Sequence, residues 1–367
     1  MRELHIVEPT LSDQAGHCHS YVQSLIHANG AFKYTLHVWL DRRGRNLYSK
    51  YSNEICQLHP YFLYQLRKIQ KFFCLRALIR ANKTIFIPTA GRIDLVHLNS
   101  ILKGKKYSGK VFLHFHQFKA SDEKIKLLKK VAHCHPEFIV MAPTKDLMGI
   151  FQESGFCNSV QVLCPSYPTS LQHRTISSFK KVVYAGAARN DKGFPEVVSF
   201  LEYLSQREKD TVFEVQASPP ASGQYDKKSK MALLRLKNLH LAKLIFHEST
   251  LVQKKYQTLF TGAICLLIYD LESYRNKFSG VALDALYAGC PLITISETWM
   301  GEVTRQFQAG VVLKDRSPPS IYKALVKIRQ NYTQFHENAK EAGEILMEKH
   351  NPKNIFKIIE KMSGSNE

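Results

Sequence analysis

Short runs of β-branched and aromatic residues alternate along the chain with stretches whose apolar residues recur at helical spacing. In the first half, the runs predict strands at Leu4–Glu8, Tyr34–Leu40, Thr84–Ile87, Lys110–Phe115, Phe138–Ala142 and Val160–Leu163. Amphipathic helices are predicted between them, for example at Ser20–Ala28, Tyr64–Ala81 and Lys124–Ala132. This alternation predicts an α/β fold in which helices cover both faces of a parallel sheet.

A mostly polar segment from Pro165 to Ser178 interrupts the series and predicts a linker. A second series begins at residues 180–186 and continues with predicted strands at Val212–Val215, Leu244–His247, Ile264–Tyr269, Pro291–Ile295 and Gly310–Leu313. Two Rossmann-like domains, 1–168 and 169–350, are therefore expected to face each other across a cleft. Residues 351–367 contain a predicted closing helix, Asn351–Met362, that we expect to return to the first domain, and Ser218–Ser229 is predicted to be a mobile loop.

A chain of 367 residues exceeds one ordinary hydrophobic core, in keeping with two domains. Its longest apolar run, near Ala263–Tyr269, is far shorter than a bilayer span, and the first residues do not resemble a secretion signal. The eight cysteines are scattered without a Cys-x-x-Cys pair, as is typical of reduced thiols. Together these features predict a cytoplasmic protein.

Positive charge is large and unevenly distributed, with a net value of +20 for the whole chain. Residues 1–175 hold 24 Lys and Arg against 11 Asp and Glu, a net charge of +13. Within them, Gln65–Lys83 interleaves cations with apolar residues and predicts docking at the anionic inner face of a membrane, where each cation contributes about 1 kcal/mol. A helix packed on one side and solvated on the other is the alternative. Nucleic acid is not an expected partner, because no recognition motif accompanies the charge.

Residues 276–294 hold the most specific pattern of the chain. A polar turn leads into a short amphipathic helix, and a Gly-Cys-Pro break at 289–291 precedes an apolar strand. The first amides of such a helix have no partner within it, and with the helix dipole they attract anions. Asp284 follows Asn276 by eight residues, so the two side chains can flank one ligand. The pattern predicts a site for a phosphate joined to a sugar.

A second motif, at residues 184–194, opens the second domain. Small residues follow a predicted strand, Arg189 and Lys192 come next, and Gly193 begins a helix. Small side chains permit a ligand to approach closely, and two cations can neutralise a diphosphate without a metal. A solvated loop before a helix is the alternative interpretation.

Together, and about ninety residues apart, the two motifs resemble those of family 4 glycosyltransferases, retaining enzymes of the GT-B fold that use nucleotide-diphosphate sugars. In that family a small-residue turn, a cation and Lys-Gly precede a Glu-x-Phe-Gly turn, a second glutamate and a Gly-x-Pro break. Lys192-Gly193, Phe278 and Gly289-Cys290-Pro291 match this pattern. The specific part of the resemblance is confined to roughly residues 182–194 and 269–313.

The chain departs from the family pattern at four places. Asn276 and Asp284 stand where the family has two glutamates, and Ser279 stands in place of a glycine, with Gly280 next to it. Arg189 lies two residues beyond Ala187, which follows the turn glycine directly. The uncharged Asn276 brings the identity of the sugar, and the activity itself, into question.

The resemblance implies roles for individual residues. Arg189 and Lys192 would hold the diphosphate and stabilise the leaving group, and Asp284 would bind the ribose. The donor-binding residues are then Gly16, Asn276, Lys277, Phe278, Ser279, Gly280 and Asp284. The family's chemistry requires no metal or other cofactor.

Two features of the first domain point to the same substrate. Residues 12–21 follow the first predicted strand and open a helix, and Gly16 would pass beneath the donor phosphates; an ordinary strand-to-helix turn is the alternative. The strand predicted at Lys110–Phe115 delivers His114 or His116, and in the resembling family a histidine at this strand end lies near the transferred sugar. We choose His116 as the catalytic candidate, because it is nearest the expected strand end. A structural histidine is the alternative.

Two triplets, His17-Cys18-His19 and His133-Cys134-His135, resemble metal ligands at first sight. Adjacent residues rarely converge on one ion, and no second ligand set has zinc-like spacing. The sequence therefore predicts no metal site.

The resemblance implies a hexosyl-type transferase that moves a sugar from a nucleotide-diphosphate donor to the hydroxyl of a glycan or lipid-linked acceptor, with retention of configuration. Synthesis of a cell-surface polysaccharide or lipopolysaccharide is the expected pathway. A non-catalytic nucleotide-sugar-binding scaffold is one alternative, supported by Asn276 and the displaced arginine. A sugar-nucleotide epimerase of the same fold is another.

Overall fold

The computed structural model describes residues 2–12, 16–165, 178–208, 210–220, 223–239, 241, 243–275 and 277–364. It divides the chain into two compact units, one made of 1–167 with 349–367 and the other of 168–348. Residues 166–177 of the predicted linker, and Asn276 of the predicted donor site, lie outside the described residues.

The first unit is built around parallel strands. They are β1 (Glu3–Val7), β2 (Thr35–Asp41), β3 (Cys56–Phe62), β4 (Ile85–Ile87), β5 (Val111–His114), β6 (Ile139–Ala142) and β7 (Ser159–Gln161). Its helices are α1 (Gly16–Ala28), α2 (Arg45–Tyr48), α3 (Arg67–Arg80), α4 (Arg92–Leu102), α5 (Asp122–Cys134), α6 (Lys145–Glu153) and, from the end of the chain, α15 (Lys353–Met362). In the described part of this unit the strands form one sheet in the order β3-β2-β1-β4-β5-β6-β7.

The second unit repeats this plan. Its strands are β8 (Lys181–Tyr184), β9 (Val212–Gln216), β10 (Leu244–His247), β11 (Ala263–Leu267), β12 (Leu292–Ile295) and β13 (Gly310–Leu313). Its helices are α7 (Phe194–Ser205), α8 (Lys227–Lys237), α9 (Gln253–Thr258), α10 (Leu271–Tyr274), α11 (Gly280–Tyr287), α12 (Trp299–Gln306), α13 (Pro318–Gln330) and α14 (Tyr332–Lys349). Among the described residues, the sheet order is β10-β9-β8-β11-β12-β13.

The apolar runs form strands because parallel sheets are covered on both faces and need buried side chains on each. Every residue of β11 is buried, as is every residue of β12. The predicted α/β class with two parallel sheets is therefore confirmed. None of the described helices is both long and apolar enough to cross a bilayer.

One strand of the first sheet, β3, is missing from the prediction. Its segment contains Pro60 and several polar residues, which weaken the strand pattern. Proline donates no backbone hydrogen bond and is tolerated mainly at the edge of a sheet, and β3 is an edge strand.

The loop predicted at Ser218–Ser229 is partly wrong, because α8 begins at Lys227. The carboxylate of Asp226 accepts a hydrogen bond from the backbone N–H of Ser229 at 2.9 Å and so caps this helix. The composition of the segment is typical of a loop, but its Asp-x-x-Ser spacing is also a helix start.

The final helix packs on the first unit. Phe356 of α15 stacks on Phe32, with 4.9 Å between ring centres, and Arg2 pairs with Glu360 at 3.2 Å. Just before the helix, the Nδ1 atom of His350 lies 2.7 Å from the carbonyl oxygen of Cys164. These contacts tie the end of the chain to the first unit.

Candidate functional site

The second sheet changes direction between β8 and β11. These two strands are neighbours, but the chain proceeds from β8 towards β10 and from β11 towards β13, on opposite sides. At such a switch point the loops beyond the strands' carboxyl ends diverge and leave a crevice in which ligands bind. The loop after β8 carries Arg189 and Lys192, and the loop after β11 leads towards α11.

Gly193 permits the two loops to approach closely. Its φ is +68°, and a Cβ atom at this position would lie 2.2 Å from the carbonyl oxygen of Ile268. Nearby, the backbone N–H of Asp270 donates to the carbonyl of Asp191 at 3.0 Å. Only glycine fits both the conformation and the space, so the Lys-Gly pair fixes Lys192 at the switch point.

Lys192 is directed at the first turn of α11. A Cβ atom on Gly186 would lie 3.3 Å from the Nζ atom of Lys192 and 3.8 Å from a methyl carbon of Val281, the second residue of that helix. The same ammonium lies 5.8 Å from the ring centre of Tyr269. Lys192, Gly186 and the start of α11 therefore border one small space.

The Lys192 ammonium is held in an unfavourable setting. Burial, together with the charge of Arg189, lowers its pKa to about 8, and Asp191 partly offsets both effects. A desolvated cation beside a second cation is stabilised by any anion that enters. The electrostatics of this loop thus favour a phosphate.

Arg189 already has an anionic partner. Its Nε atom donates to Oδ1 of Asp191 at 2.8 Å, and its NH2 group contacts the second carboxylate oxygen. This two-point contact orients the guanidinium and offsets part of its charge. To bind a diphosphate, Arg189 would have to share Asp191 or release it.

The start of α11 is capped by Ser279, whose hydroxyl accepts from the backbone N–H of Ala282 at 3.3 Å. By helix geometry, the amides of Gly280 and Val281 have no partner within the helix. Just before the cap, the Nζ atom of Lys277 lies 5.3 Å from the ring centre of Tyr274, and Phe278 meets Trp299 edge to face.

Asp284 lies one turn further along α11 and faces α9. Its carboxylate accepts a hydrogen bond from the hydroxyl of Tyr256 at 3.0 Å. Burial raises the pKa of Asp284 to about 6, although the Tyr256 hydrogen bond lowers it. A carboxylate with one hydroxyl partner can accept further hydroxyl groups, such as those of a ribose.

The first sheet also reverses direction, between β1 and β4. The buried carboxylate of Glu8 lies there, directly after β1, and accepts from the backbone N–H of Thr10 at 3.2 Å and from the hydroxyl of Thr89. Because the loops after β1 and β4 share this carboxylate, it braces the switch point of the first sheet. The sequence pattern predicts Glu8 as the end of a strand and gives no signal for its contacts with Thr10 and Thr89.

The end of β5 meets the second turn of α1. His114 is fully buried, with Nδ1 2.6 Å from the hydroxyl of Tyr21, and burial lowers its pKa to about 3, despite an opposing hydrogen bond to the backbone of Val162. His116 stacks on Tyr21, with 5.5 Å between ring centres, and is only partly buried. The structure therefore brings His116 to the helix that Gly16 begins, whereas His114 is the structural histidine of the pair.

The sequence pattern does not predict three contacts of these residues. Tyr21 and Cys164 contact His114, and Tyr256 contacts Asp284. In each pair the two residues are distant in sequence and meet through tertiary packing. Tyr21 follows Gly16 by five residues on α1, which is the single local signal that could have identified it.

A depression elsewhere on the second unit, of about 560 Å³, lies at the amino ends of β8 and β9 and is lined in part by Lys180, Glu208 and Arg329. Its carboxylate Glu208 already pairs with Arg329, which holds the pKa of Glu208 down to about 2. It lies at the opposite end of the strands from Lys192, so it is not the candidate site.

Comparison with known proteins supports the fold. No protein-family model matches the chain, and no curated protein matches it in sequence. In structure it is similar to sucrose-phosphate synthase from Thermosynechococcus elongatus, with a TM-score of 0.75, 11% identity and 100% of both chains covered. A glycosyltransferase from Rickettsia africae gives a TM-score of 0.74 and 10% identity, covering 100% of this chain and 99% of the other. Anabaena HepE with UDP-glucose gives 0.70 and 13% identity, covering 99% of this chain and 100% of that one.

These neighbours share two parallel-sheet α/β domains with the present chain. The chain therefore has the GT-B fold, as the resemblance of its two motifs implies. At 10–13% identity the likeness establishes the fold, and the function has to be argued from the site.

The pKa of Asp284 predicts how stability depends on pH. At about 6, it lies above the ordinary value of 3.8, so the folded state holds this proton more tightly than the unfolded state. The contribution of protonated Asp284 to folding stability is present below about pH 4 and is lost as the pH rises through about 6. Asp284→Asn should therefore raise the melting temperature at pH 8 and bring little gain near pH 4, as measured by thermal unfolding.

Asp226→Asn is the matched control for this prediction. Although burial favours its neutral form, hydrogen bonds from Ser229 hold the pKa of Asp226 below its ordinary value. This substitution should cost more stability at pH 8 than at pH 3. If the effect of Asp284→Asn is the same at both ends of the pH range, the raised pKa is wrong.

Proposed function

We propose that this chain is a retaining glycosyltransferase that moves a sugar from a nucleotide-diphosphate donor to an acceptor hydroxyl. The observation that carries the proposal is the position of the Lys192 ammonium beside the first turn of α11, at the switch point of the second sheet. A desolvated cation and helix amides together suit a diphosphate. The GT-B fold of the chain is consistent with this chemistry.

Each residue of the second unit has a place in the proposed reaction. Negative charge develops on the leaving diphosphate as its bond to the sugar breaks, and Lys192 with the amides of Gly280 and Val281 would stabilise that charge. Arg189, oriented by Asp191, would hold the outer phosphate oxygens. Asp284 would bind the ribose, and Asn276 would contact the sugar.

The acceptor and the transferred sugar are assigned to residues of the first unit. By the resemblance, His116 is proposed to hydrogen-bond the sugar or an acceptor hydroxyl, and Gly16 is proposed as a donor-binding residue. The acceptor oxygen would attack the face from which the diphosphate leaves, and a donor phosphate oxygen would take its proton. No enzymic nucleophile and no metal is needed for this sequence of events.

The identity of the donor is suggested by one structural neighbour. Structures of Anabaena HepE are described as complexes with UDP, with UDP and glucose, and with UDP-glucose. We propose a donor of the same chemical class here, with its base and sugar to be identified by a panel. A role in making a cell-surface polysaccharide or lipopolysaccharide is the proposed pathway.

A non-catalytic nucleotide-sugar binder is the second candidate. It is favoured by the pairing of Arg189 with Asp191, which reduces the charge offered to a phosphate, and by the neutral Asn276. Both candidates require the same diphosphate site, so turnover distinguishes them.

The first test measures binding and turnover with a panel of nucleotide sugars. The chain should bind one class of nucleotide sugar more tightly than the matching free sugar and release free nucleoside diphosphate slowly by hydrolysis or faster with an acceptor. The product's anomeric configuration, read by NMR, should equal that of the donor. Binding without any nucleotide release would leave the non-catalytic alternative, and release without acceptor or hydrolysed sugar would indicate an epimerase.

The second test concerns Lys192. Lys192→Ala should weaken nucleoside diphosphate binding by about tenfold or more, since a hydrogen bond to a charged group contributes about 1.5–3 kcal/mol. Affinity of the native chain should also fall as the pH rises through about 8, where the ammonium loses its proton. Both effects are measurable by calorimetry.

Lys230→Ala is the matched control, because Lys230 is an exposed lysine of α8 in the same unit. It should bind the diphosphate as tightly as the native chain does. Unchanged affinity in Lys192→Ala would show that the diphosphate site lies elsewhere.

We also propose that the first unit docks on an anionic membrane through α3 and the turn before it. Leu66, Ile69 and Phe73 lie along one stripe and are exposed, with 62% of Ile69 and 52% of Phe73 accessible. Exposed cations on the same helix, Lys68 and Arg80, complement anionic lipid. Lys71 does not take part, because it is buried and paired with Asp94, so the cationic stripe is narrower than the sequence indicates.

Replacing Ile69 and Phe73 together by serine should remove most binding to vesicles that contain phosphatidylglycerol, measured by co-sedimentation. Binding of the native chain should weaken with salt and with neutral vesicles. The control replaces Met231 and Leu234, an equally exposed apolar pair on α8 of the second unit, by serine. Equal losses in both double variants would rule out a specific surface on α3.

A further inference from the structure

We propose that His114, His116 and Cys164 form a binding site for a thiophilic divalent ion such as Zn²⁺. One ligand atom from each of these residues lies within 4.8 Å of the others. His114 ends β5, His116 follows it, and Cys164 comes from the segment after β7, so two parts of the first unit converge. This site goes beyond the proposed transfer reaction, which needs no metal.

Two of the three ligand atoms already have the spacing that a zinc ion requires. The Sγ atom of Cys164 lies 3.7 Å from the Nε2 atom of His114. Zinc bonds of about 2.3 Å to sulfur and 2.0–2.1 Å to nitrogen place two tetrahedral ligands roughly 3.6 Å apart. The thiol and the imidazole nitrogen therefore have the spacing of two ligands of one zinc ion.

Tyr21 supports the imidazole from behind. Its hydroxyl lies 2.6 Å from Nδ1 of His114, and the two residues are buried. With the ion on Nε2, the proton of the neutral imidazole resides on Nδ1 and is donated to the hydroxyl oxygen of Tyr21. Histidine ligands are commonly oriented by such a contact at their second nitrogen.

Binding of the ion would displace one proton, because the sulfur ligand of a metal is a thiolate. As the sulfur–metal bond forms, the thiol proton passes to the solvent, and neither the ion nor the protein changes its oxidation state.

His116 supplies the third ligand and leaves one tetrahedral position open. Its ring centre lies 5.2 Å from that of His114, and the two rings are nearly perpendicular. A ligand nitrogen of His116 lies within 4.8 Å of the ligand atoms of His114 and Cys164. If the proposed function holds, an ion at this position engages the catalytic candidate His116 and inhibits transfer.

A second cluster, made of Glu3, His5 and His37, has similar ligand spacing but poorer geometry. The rings of His5 and His37 are stacked, 4.3 Å apart and tilted by 10°, so their lone pairs run side by side. Glu3 is also held by Lys83 at 2.5 Å. This cluster contains no thiol, which allows the two clusters to be told apart by spectroscopy.

The experiment titrates the metal-free chain with Co²⁺, which substitutes for zinc and reports its ligands. One equivalent should produce a thiolate-to-cobalt charge-transfer band together with the visible bands of a tetrahedral site. Added Zn²⁺ should abolish these bands, and its affinity follows from competition with a chromophoric chelator. These readouts do not depend on donor binding, so they remain informative if the proposed function is wrong.

Three variants make the test specific. Cys164→Ser should eliminate the charge-transfer band, and Tyr21→Phe should retain the band but lower zinc affinity by about 10–100-fold. Cys134→Ser is the control, because Cys134 is exposed and flanked in sequence by His133 and His135. It should bind cobalt and zinc as the native chain does.

Thermal unfolding of each metal-free variant establishes that it is folded. Should Cys164→Ser be unstable, His116→Asn replaces it, since His116 is only partly buried, and should weaken zinc binding at least as much as Tyr21→Phe. The proposal is overturned if the native chain binds no stoichiometric ion, if the band survives in Cys164→Ser, or if Cys134→Ser abolishes it.

Discussion

The candidate site depends on the close approach of two loops at the switch point of the second sheet. Gly193 allows it, because its left-handed conformation brings the chain against the carbonyl of Ile268, where a Cβ atom would lie 2.2 Å away. The position of Lys192, and hence its distance from α11, follows from that contact. A loop without glycine at this position would have to move outward and would return the lysine to solvent.

Burial of the polar side chains Lys192 and Asp284 at this point lowers the stability of the folded protein. Both Lys192 and Asp284 have pKa values displaced towards their neutral forms by desolvation, to about 8 and about 6 respectively. Asp191 offsets only part of the effect on Lys192, and Tyr256 offsets only part of the effect on Asp284, so each group is costly to keep ionised in the folded protein. Binding a ligand with complementary groups offsets that cost, and the buried strands β11 and β12 supply the stability that tolerates it.

Much of the fold follows from the sequence because parallel strands buried on both faces read as continuous apolar runs. The exceptions have local causes, such as Pro60 in β3 and the capping Asp226 before α8. The Lys-Gly pair was identifiable because it combines a charge with a backbone requirement. The contacting pairs Tyr21–His114 and Tyr256–Asp284 are separated in sequence by 93 and 28 residues. Only tertiary packing brings the members of each pair together, so no local sequence pattern predicts these contacts.

Compared with the family 4 pattern, the chain retains some residues and changes others. Two glycines that the backbone requires are retained: Gly193, and Gly289, whose φ is +65° and where a Cβ atom would lie 2.7 Å from the ring of His336. The changes fall on Ser279 in the turn before α11, on Asn276 and Asp284, which are assigned to the ligand, and on the spacing of Arg189. Since the diphosphate is held mainly by Lys192 and backbone amides in the proposed site, the retained Lys192-Gly193 pair supports a diphosphate ligand, and the changes at Asn276 and Asp284 concern the side chains proposed to bind its sugar and its ribose.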